Sequence, residues 1–218
     1  MGIETLINAI GLFGVAVFAI SGAFAAARKD MDPIGFLLLG TVTAIGGGTV
    51  RDIILDRAVF WLAEPSQLIL AIVVSMATYL FVAEAAHLQR KKWMAWSDAL
   101  GLAAFAVQGA LITININPHP LIVVIMGTMT AVGGGVIRDV LSNERPMIFR
   151  GQLYAIPAMA GALTVTCMHA LAVPNSITAA AGFLIVLIIR GATLIFDIRS
   201  GPPGQMFTIG ELNKIEPK

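Results

Sequence analysis

Long uncharged apolar runs alternate with short polar or charged breaks along almost the whole chain. Leu6 to Ala27 carries no charge and is long enough to cross the roughly 30 Å hydrocarbon layer of a bilayer as a helix. Arg28-Lys29-Asp30 ends it, and Pro33 opens a second run that stays uncharged through Val50. A third runs from Pro65 to Ala83 and is closed by Glu84, His87 and the basic run Arg90-Lys91-Lys92. Ala99 to Ile137 is again uncharged, but Asn115-Ile116-Asn117-Pro118-His119-Pro120 divides it into two spans. Gly151 to Ile189 divides in the same way around Pro174-Asn175. The pattern predicts seven membrane-crossing helices, with Trp93 and Trp96 at the headgroup level that indole rings favour.

Within this pattern a segment recurs. Gly40-Thr-Val-Thr-Ala-Ile-Gly-Gly-Gly-Thr-Val-Arg-Asp is matched, 87 residues later, by Gly127-Thr-Met-Thr-Ala-Val-Gly-Gly-Gly-Val-Ile-Arg-Asp. At the same offset Phe18-Ala19-Ile20-Ser21-Gly22-Ala23 meets Phe105-Ala106-Val107-Gln108-Gly109-Ala110. The unit holds three spans, so its second copy must cross the membrane upside down. The expectation is an all-α membrane protein of two inverted three-helix repeats plus a seventh helix that braces the pair or packs between subunits. Its parts are a first repeat over 1–88, a basic cytoplasmic linker over 89–95, a second repeat over 96–174, the seventh helix over 175–198 and a flexible cytoplasmic tail over 199–218.

Composition and charge sharpen this picture. Hydrophobic residues make up 57% of the chain and charged ones 12%, about half the charge of a soluble domain. Ala23-Phe24-Ala25 could pass for a signal-peptidase site, but the first 27 residues contain Glu4 and no Lys or Arg, so the basic start of a cleaved signal is missing. Taken span by span, twelve of the fourteen Lys and Arg fall on one face, and only Arg51 and Arg57 on the other. The positive-inside bias therefore puts the N-terminus outside and the C-terminus in the cytoplasm. The lone Cys167 permits no intrachain disulfide and reads as a small buried filler.

Three glycines inside a helix cost about 1 kcal/mol each relative to alanine. Apolar character continues past Gly46-Gly47-Gly48 to Leu62, too far for one straight crossing. A helix kinked or broken at Gly46–Gly48, and again at Gly133-Gly134-Gly135, is expected to line a polar path at the repeat interface. The competing expectation is close helix packing through small residues. Arg51-Asp52 and Arg138-Asp139 follow the triplets. Adjacent helical residues do not face each other, so each is expected to pair elsewhere, either lining or gating a cation path or anchoring helix ends at the interface. Ser21 and its counterpart Gln108, with Thr41, Thr43, Thr128 and Thr130, are the other mid-span polar candidates, although hydroxyls there commonly bond their own helix. Arg90, Lys91 and Lys92 are candidates for holding lipid headgroups. His87, His119 and His169 lack zinc-ligand spacing. No phosphate loop, nucleophile elbow or carboxylate pair is present, so neither an enzyme nor a metal or cofactor is expected, and no basic surface suits nucleic acid.

At the duplicated Gly-Gly-Gly-x-x-Arg-Asp segments the chain resembles prokaryotic members of the trimeric intracellular cation (TRIC) channel family. The resemblance implies a homotrimer with a pore in each protomer that passes monovalent cations, potassium and sodium, beside kinks at Gly46–Gly48 and Gly133–Gly135. Bacterial relatives also carry a glycine-transporter label, which keeps a secondary transporter of a small solute as the alternative. The expected home is the inner membrane of a prokaryote.

Overall fold

The computed structural model describes residues 2–82, 87–151, 153–199 and 208–209. Helices α1 (Ile3–Arg28), α2 (Pro33–Ile54), a short α3 (Phe60–Ala63) and α4 (Ser66–Val82) form the first unit. Helices α5 (His87–Ile116), α6 (Pro120–Leu141) and α7 (Ala155–Ala170) form the second, and α8 (Asn175–Ile195) follows. Five of these are long and apolar enough to cross a membrane, while α4 and α7 are apolar but shorter. Beyond α8, Ile198–Arg199 pairs antiparallel with Thr208–Ile209, and the rest of the expected tail lies outside the described residues.

Both units start and stop their second helix with the same local chemistry. Proline occupies the first helical positions of α2 and α6, where its missing N–H costs no hydrogen bond. Each helix ends at a residue in the left-handed region that Asp and Asn tolerate, Asp56 (φ 50°) and Asn143 (φ 52°). These positions are 87 residues apart. The amides of Arg57 and Glu144 then donate to the carbonyls of Asp52 and Asp139 at 3.0 and 2.8 Å, so each helix turns off in the same way.

The two copies run antiparallel. Near one end Gln108 Nε2 donates to the carbonyl of Ile7, and at the other Ser21 Oγ donates to that of Met94 and Arg90 to that of Ala27. Phe18 and its counterpart Phe105 meet between them with ring centroids 5.2 Å apart. Helix α2 packs on α6, and α8 lies on the second unit against α5 and α7. The seventh apolar helix therefore packs mainly on the second repeat and meets the first at the Phe13–Phe183 ring contact.

Three expectations need correction. Of the kink or break expected at each triplet, the break is excluded: α2 and α6 run continuously through their glycines. The excess apolar length is absorbed instead by the turn at Leu55–Asp56 and by α3. Residues 89–95 are not a linker but the first turns of α5, where Arg90 caps the carbonyl end of α1. Arg190 sits in the last turns of α8 and is 1% exposed, lining a cavity with Arg28, Lys91 and Arg150. Cys167 is exposed on α7 rather than filling a core.

One surface tie is pH-sensitive. Glu144, just past α6, accepts from Lys29 at 2.8 Å and Arg150 at 2.9 Å, with Arg28 3.8 Å away. The Lys29 hydrogen bond, then the nearby cations, hold its carboxyl below the usual value of 4.5. A carboxyl depressed by folding stabilises above its unfolded pKa and loses that contribution as pH falls. Wild type is therefore expected to unfold at a higher temperature than Glu144→Gln at neutral pH, with the gap closing progressively below about pH 4.5. A pH series of thermal unfolding checks this.

Candidate functional site

Where α2 and α6 cross, the middle glycines leave no room for a side chain. A methyl on Gly47 would run into the carbonyl oxygen of Thr130, and one on Gly134 into that of Thr43. Thr130 is the counterpart of Thr43 and Gly134 of Gly47, so each copy inserts its glycine against the other's threonine backbone. Close packing, the competing expectation, is thus met at the triplets. The hydroxyls of Thr43, Thr128 and Thr130 donate to carbonyls four residues back at 2.5, 2.7 and 2.6 Å. That of Thr41 is buried without a partner among the described residues.

A charged cluster stands on each side of this crossing. At the first, Arg51 Nε and an amino group hold Asp52 Oδ1, both at 2.8 Å. At the second, Arg138 holds Asp139 Oδ1 at 2.9 and 2.8 Å. The expectation that neighbours would pair elsewhere is therefore wrong. Side chains on adjacent helical residues point apart at Cβ, but the arginine stem is long enough to bring its fork back. Asp52 Oδ2 accepts the amide of Phe60 at 2.9 Å, and Asp139 Oδ2 accepts that of Met147 at 2.8 Å. Again the partners are 87 residues apart. Each aspartate thus fastens the loop beyond its helix. Arg51 and Arg138 are 2% and 0% exposed, so neither anchors a helix end among headgroups.

The guanidinium groups also reach across the repeat. Arg51 donates to Gln108 Oε1 at 3.4 Å, while Arg138 donates to Ser21 Oγ at 2.7 Å. Ser21 and Gln108 are counterparts, so each copy's arginine reads the first helix of the other copy. The second cluster has further members that the sequence did not single out. Asp98, fully buried, accepts from Arg138 at 2.6 Å and from the Tyr154 hydroxyl at 3.0 Å. Its other oxygen, Oδ2, has no partner among the described residues. Arg190 lies over the Tyr154 ring, 5.0 Å from its centroid. The legible signal for Asp98 was helix length: α5 has 30 residues, so a charge a dozen residues inside it lies at membrane depth.

A cavity approaches each cluster from its own end. One, about 700 Å³, has Glu4 and Glu64 among its lining and reaches Arg51, Arg57, Gln67 and Gln108. The other, about 170 Å³, reaches Arg190 and Met147 past Arg28, Lys91 and Arg150. Between them stand the glycine crossing, the Phe18–Phe105 pair and the Arg138 cluster. Buried charges beside cavities mark a candidate solute path in a membrane protein. Lys91 and Lys92 are exposed, whereas Arg90 is partly buried beside Asp30.

Comparison with known proteins repeats the internal duplication. A family model described as Glycine transporter matches residues 8–83 and again 95–170, at the same offset of 87. The UPF0126 inner membrane protein YadS of Escherichia coli K12 is 42% identical over 197 residues, 89% of this chain and 94% of that one. Among solved structures, a TRIC channel orthologue from Rhodobacter sphaeroides superposes with a TM-score of 0.85 at 37% identity, covering 88% of this chain and 99% of that one. A second prokaryotic TRIC channel gives a TM-score of 0.84 at 28% identity, covering 89% and 98%. These relatives are channels and inner-membrane proteins rather than enzymes. Duplicated motif, antiparallel repeats and relatives agree: the chain is a multi-pass prokaryotic inner-membrane protein of the UPF0126 family, the prokaryotic branch of the trimeric intracellular cation (TRIC) channels.

Proposed function

We propose that the protein is a channel for monovalent cations, potassium foremost, with one pore inside each protomer of a homotrimer. The observation that carries this is the reciprocal α2–α6 crossing set between two cavities that enter from opposite ends. A path on a pseudo-two-fold axis between inverted repeats is the usual setting for solute movement. The crossing is held by backbone contacts at Gly47 and Gly134, so opening the path requires α2 and α6 to separate together with a shift of the Phe18–Phe105 pair and the Arg138 cluster. Asp98 Oδ2, buried and unpartnered among the described residues, is an oxygen that a passing cation could borrow in place of water. The TRIC names of the solved relatives, one a trimeric intracellular cation channel, support both the cargo and the assembly.

Seven crossings follow if α4 and α7 span with the loops that flank them. The sidedness reading survives the burial of Arg51, Arg138 and Arg190. Without them the remaining basic residues divide ten to one, which favours the N-terminus outside and the C-terminus in the cytoplasm. Lys91 and Lys92, with Arg90 nearby, would then meet anionic headgroups of the inner leaflet.

Purified protein in potassium-loaded liposomes tests the function. Potassium efflux that grows in proportion to the gradient, without saturation, is expected of a channel. Saturable uptake of labelled glycine with no potassium leak would instead support a transporter, the activity for which the matching family model is described.

A further inference from the structure

The two clusters are counterparts in every member but a few, and the differences point one way. Arg138 is satisfied by two carboxylates, Asp139 on its own helix and Asp98 on α5. Arg51 has Asp52, but the position equivalent to Asp98 is Gly11. The vacated space is taken by Gln108, whose amide nitrogen sits where a side chain at Gly11 would begin. Gln108 offers Arg51 a neutral acceptor at 3.4 Å where the second cluster has a carboxylate at 2.6 Å. The geometry is copied and the charge is not.

The neighbours enlarge the deficit. Arg57 stands at the position that Glu144 holds in the second copy, with its Nε 3.5 Å from Asp52 and its side chain 38% exposed. The first cluster therefore has two guanidinium groups for one carboxylate. The second, with Arg138 and Arg190 against Asp98 and Asp139, is balanced. Tyr154, which donates to Asp98, corresponds to Gln67. Gln67 is 6% exposed, lines the cavity of about 700 Å³, and leaves its Oε1 without a partner among the described residues. Its Nε2 donates to Asn8 Oδ1 at 3.2 Å, which leaves one N–H of that amide to turn toward a ligand.

We propose that the floor of this cavity binds a small carboxylate from solution, held by Arg51 and Arg57 with Gln67 and Gln108, in the role that Asp98 fills in the other repeat. Two guanidinium forks and an amide suit a planar carboxylate better than a spherical halide. Glu4 and Glu64 line the same cavity but are exposed to water, where screening weakens their opposition. The charge at Arg51 is buried and screened less.

The test is calorimetric titration of sodium acetate into the purified protein, with ionic strength held constant by exchange against sodium chloride. Saturable binding is expected in wild type. The double variant Gly11→Asp/Gln108→Ser rebuilds the second cluster's arrangement at the first and should abolish it. If that variant does not fold, Arg57→Gln carries the test, with acetate binding expected to weaken at least tenfold. Binding unchanged in whichever variant folds would overturn the proposal, as would no saturable binding in wild type or binding of glycine without acetate. The readout is binding alone, so it succeeds or fails independently of whether the protein conducts.

Discussion

Replacing Arg138 with alanine is expected to destabilise the protein by about 3–5 kcal/mol, the loss that follows when one side of a buried ion pair is removed. The size follows from what is left behind. Asp98 and Asp139 are 0% and 3% exposed, and both rely on the Arg138 fork at 2.6–2.9 Å. Without it, two carboxylates face each other in a protein interior with only Tyr154, Arg190 and backbone amides for relief. Arg51→Ala strands one carboxylate, and Arg57 remains 3.5 Å from it, so its loss should be smaller. Adding Asp98→Asn to Arg138→Ala should recover part of the stability by removing one of the stranded charges. Arg138→Lys should fall between, because an ammonium cannot fork to two carboxylates and Ser21 together. Thermal unfolding of the five proteins in one detergent ranks them, and equal losses for Arg51→Ala and Arg138→Ala would contradict this account.

Alanine at Gly47 or Gly134 is expected to lower stability by about 1–3 kcal/mol, the range for overpacking a filled site. Helix propensity alone predicts the opposite sign, since alanine in a helix interior is favoured over glycine by about 1 kcal/mol. The contact decides. A methyl at either position meets a backbone carbonyl of the partner helix, which can yield only if α2 and α6 move apart. At Gly46 a methyl meets the Cδ1 end of Ile137 at 2.7 Å, a flexible group that can rotate away, so Gly46→Ala should be close to neutral or stabilising. Unfolding measurements on the three variants separate the two effects. The same substitutions bear on function, because a forced separation at Gly47 should change potassium flux while Gly46→Ala leaves it near wild type.

Much of the architecture is legible in the sequence because lipid imposes length and the duplication imposes order. The shared offset between Gly40–Asp52 and Gly127–Asp139 implies an inverted pair, and α1 against α5 runs antiparallel as that requires. The site is less legible, for physical reasons. Glycine cost argues for a broken helix, yet the contact between Gly47 and the Thr130 backbone offsets that cost and keeps α2 intact. The rule that adjacent helical residues diverge holds at Cβ and fails for a side chain as long as that of Arg51. Asp98 and Tyr154 are invisible to repeat matching because their counterparts are Gly11 and Gln67. The burial of Arg190 against the Tyr154 ring and Met147 is likewise invisible to a count of charges along the chain.

Planar-bilayer recording of the purified protein under a potassium chloride gradient is the decisive test of a cation pore inside each protomer. Unitary currents reversing near the potassium equilibrium potential are expected, in up to three equal levels per inserted particle. A silent bilayer, from protein that takes up glycine saturably in liposomes, would contradict such a pore.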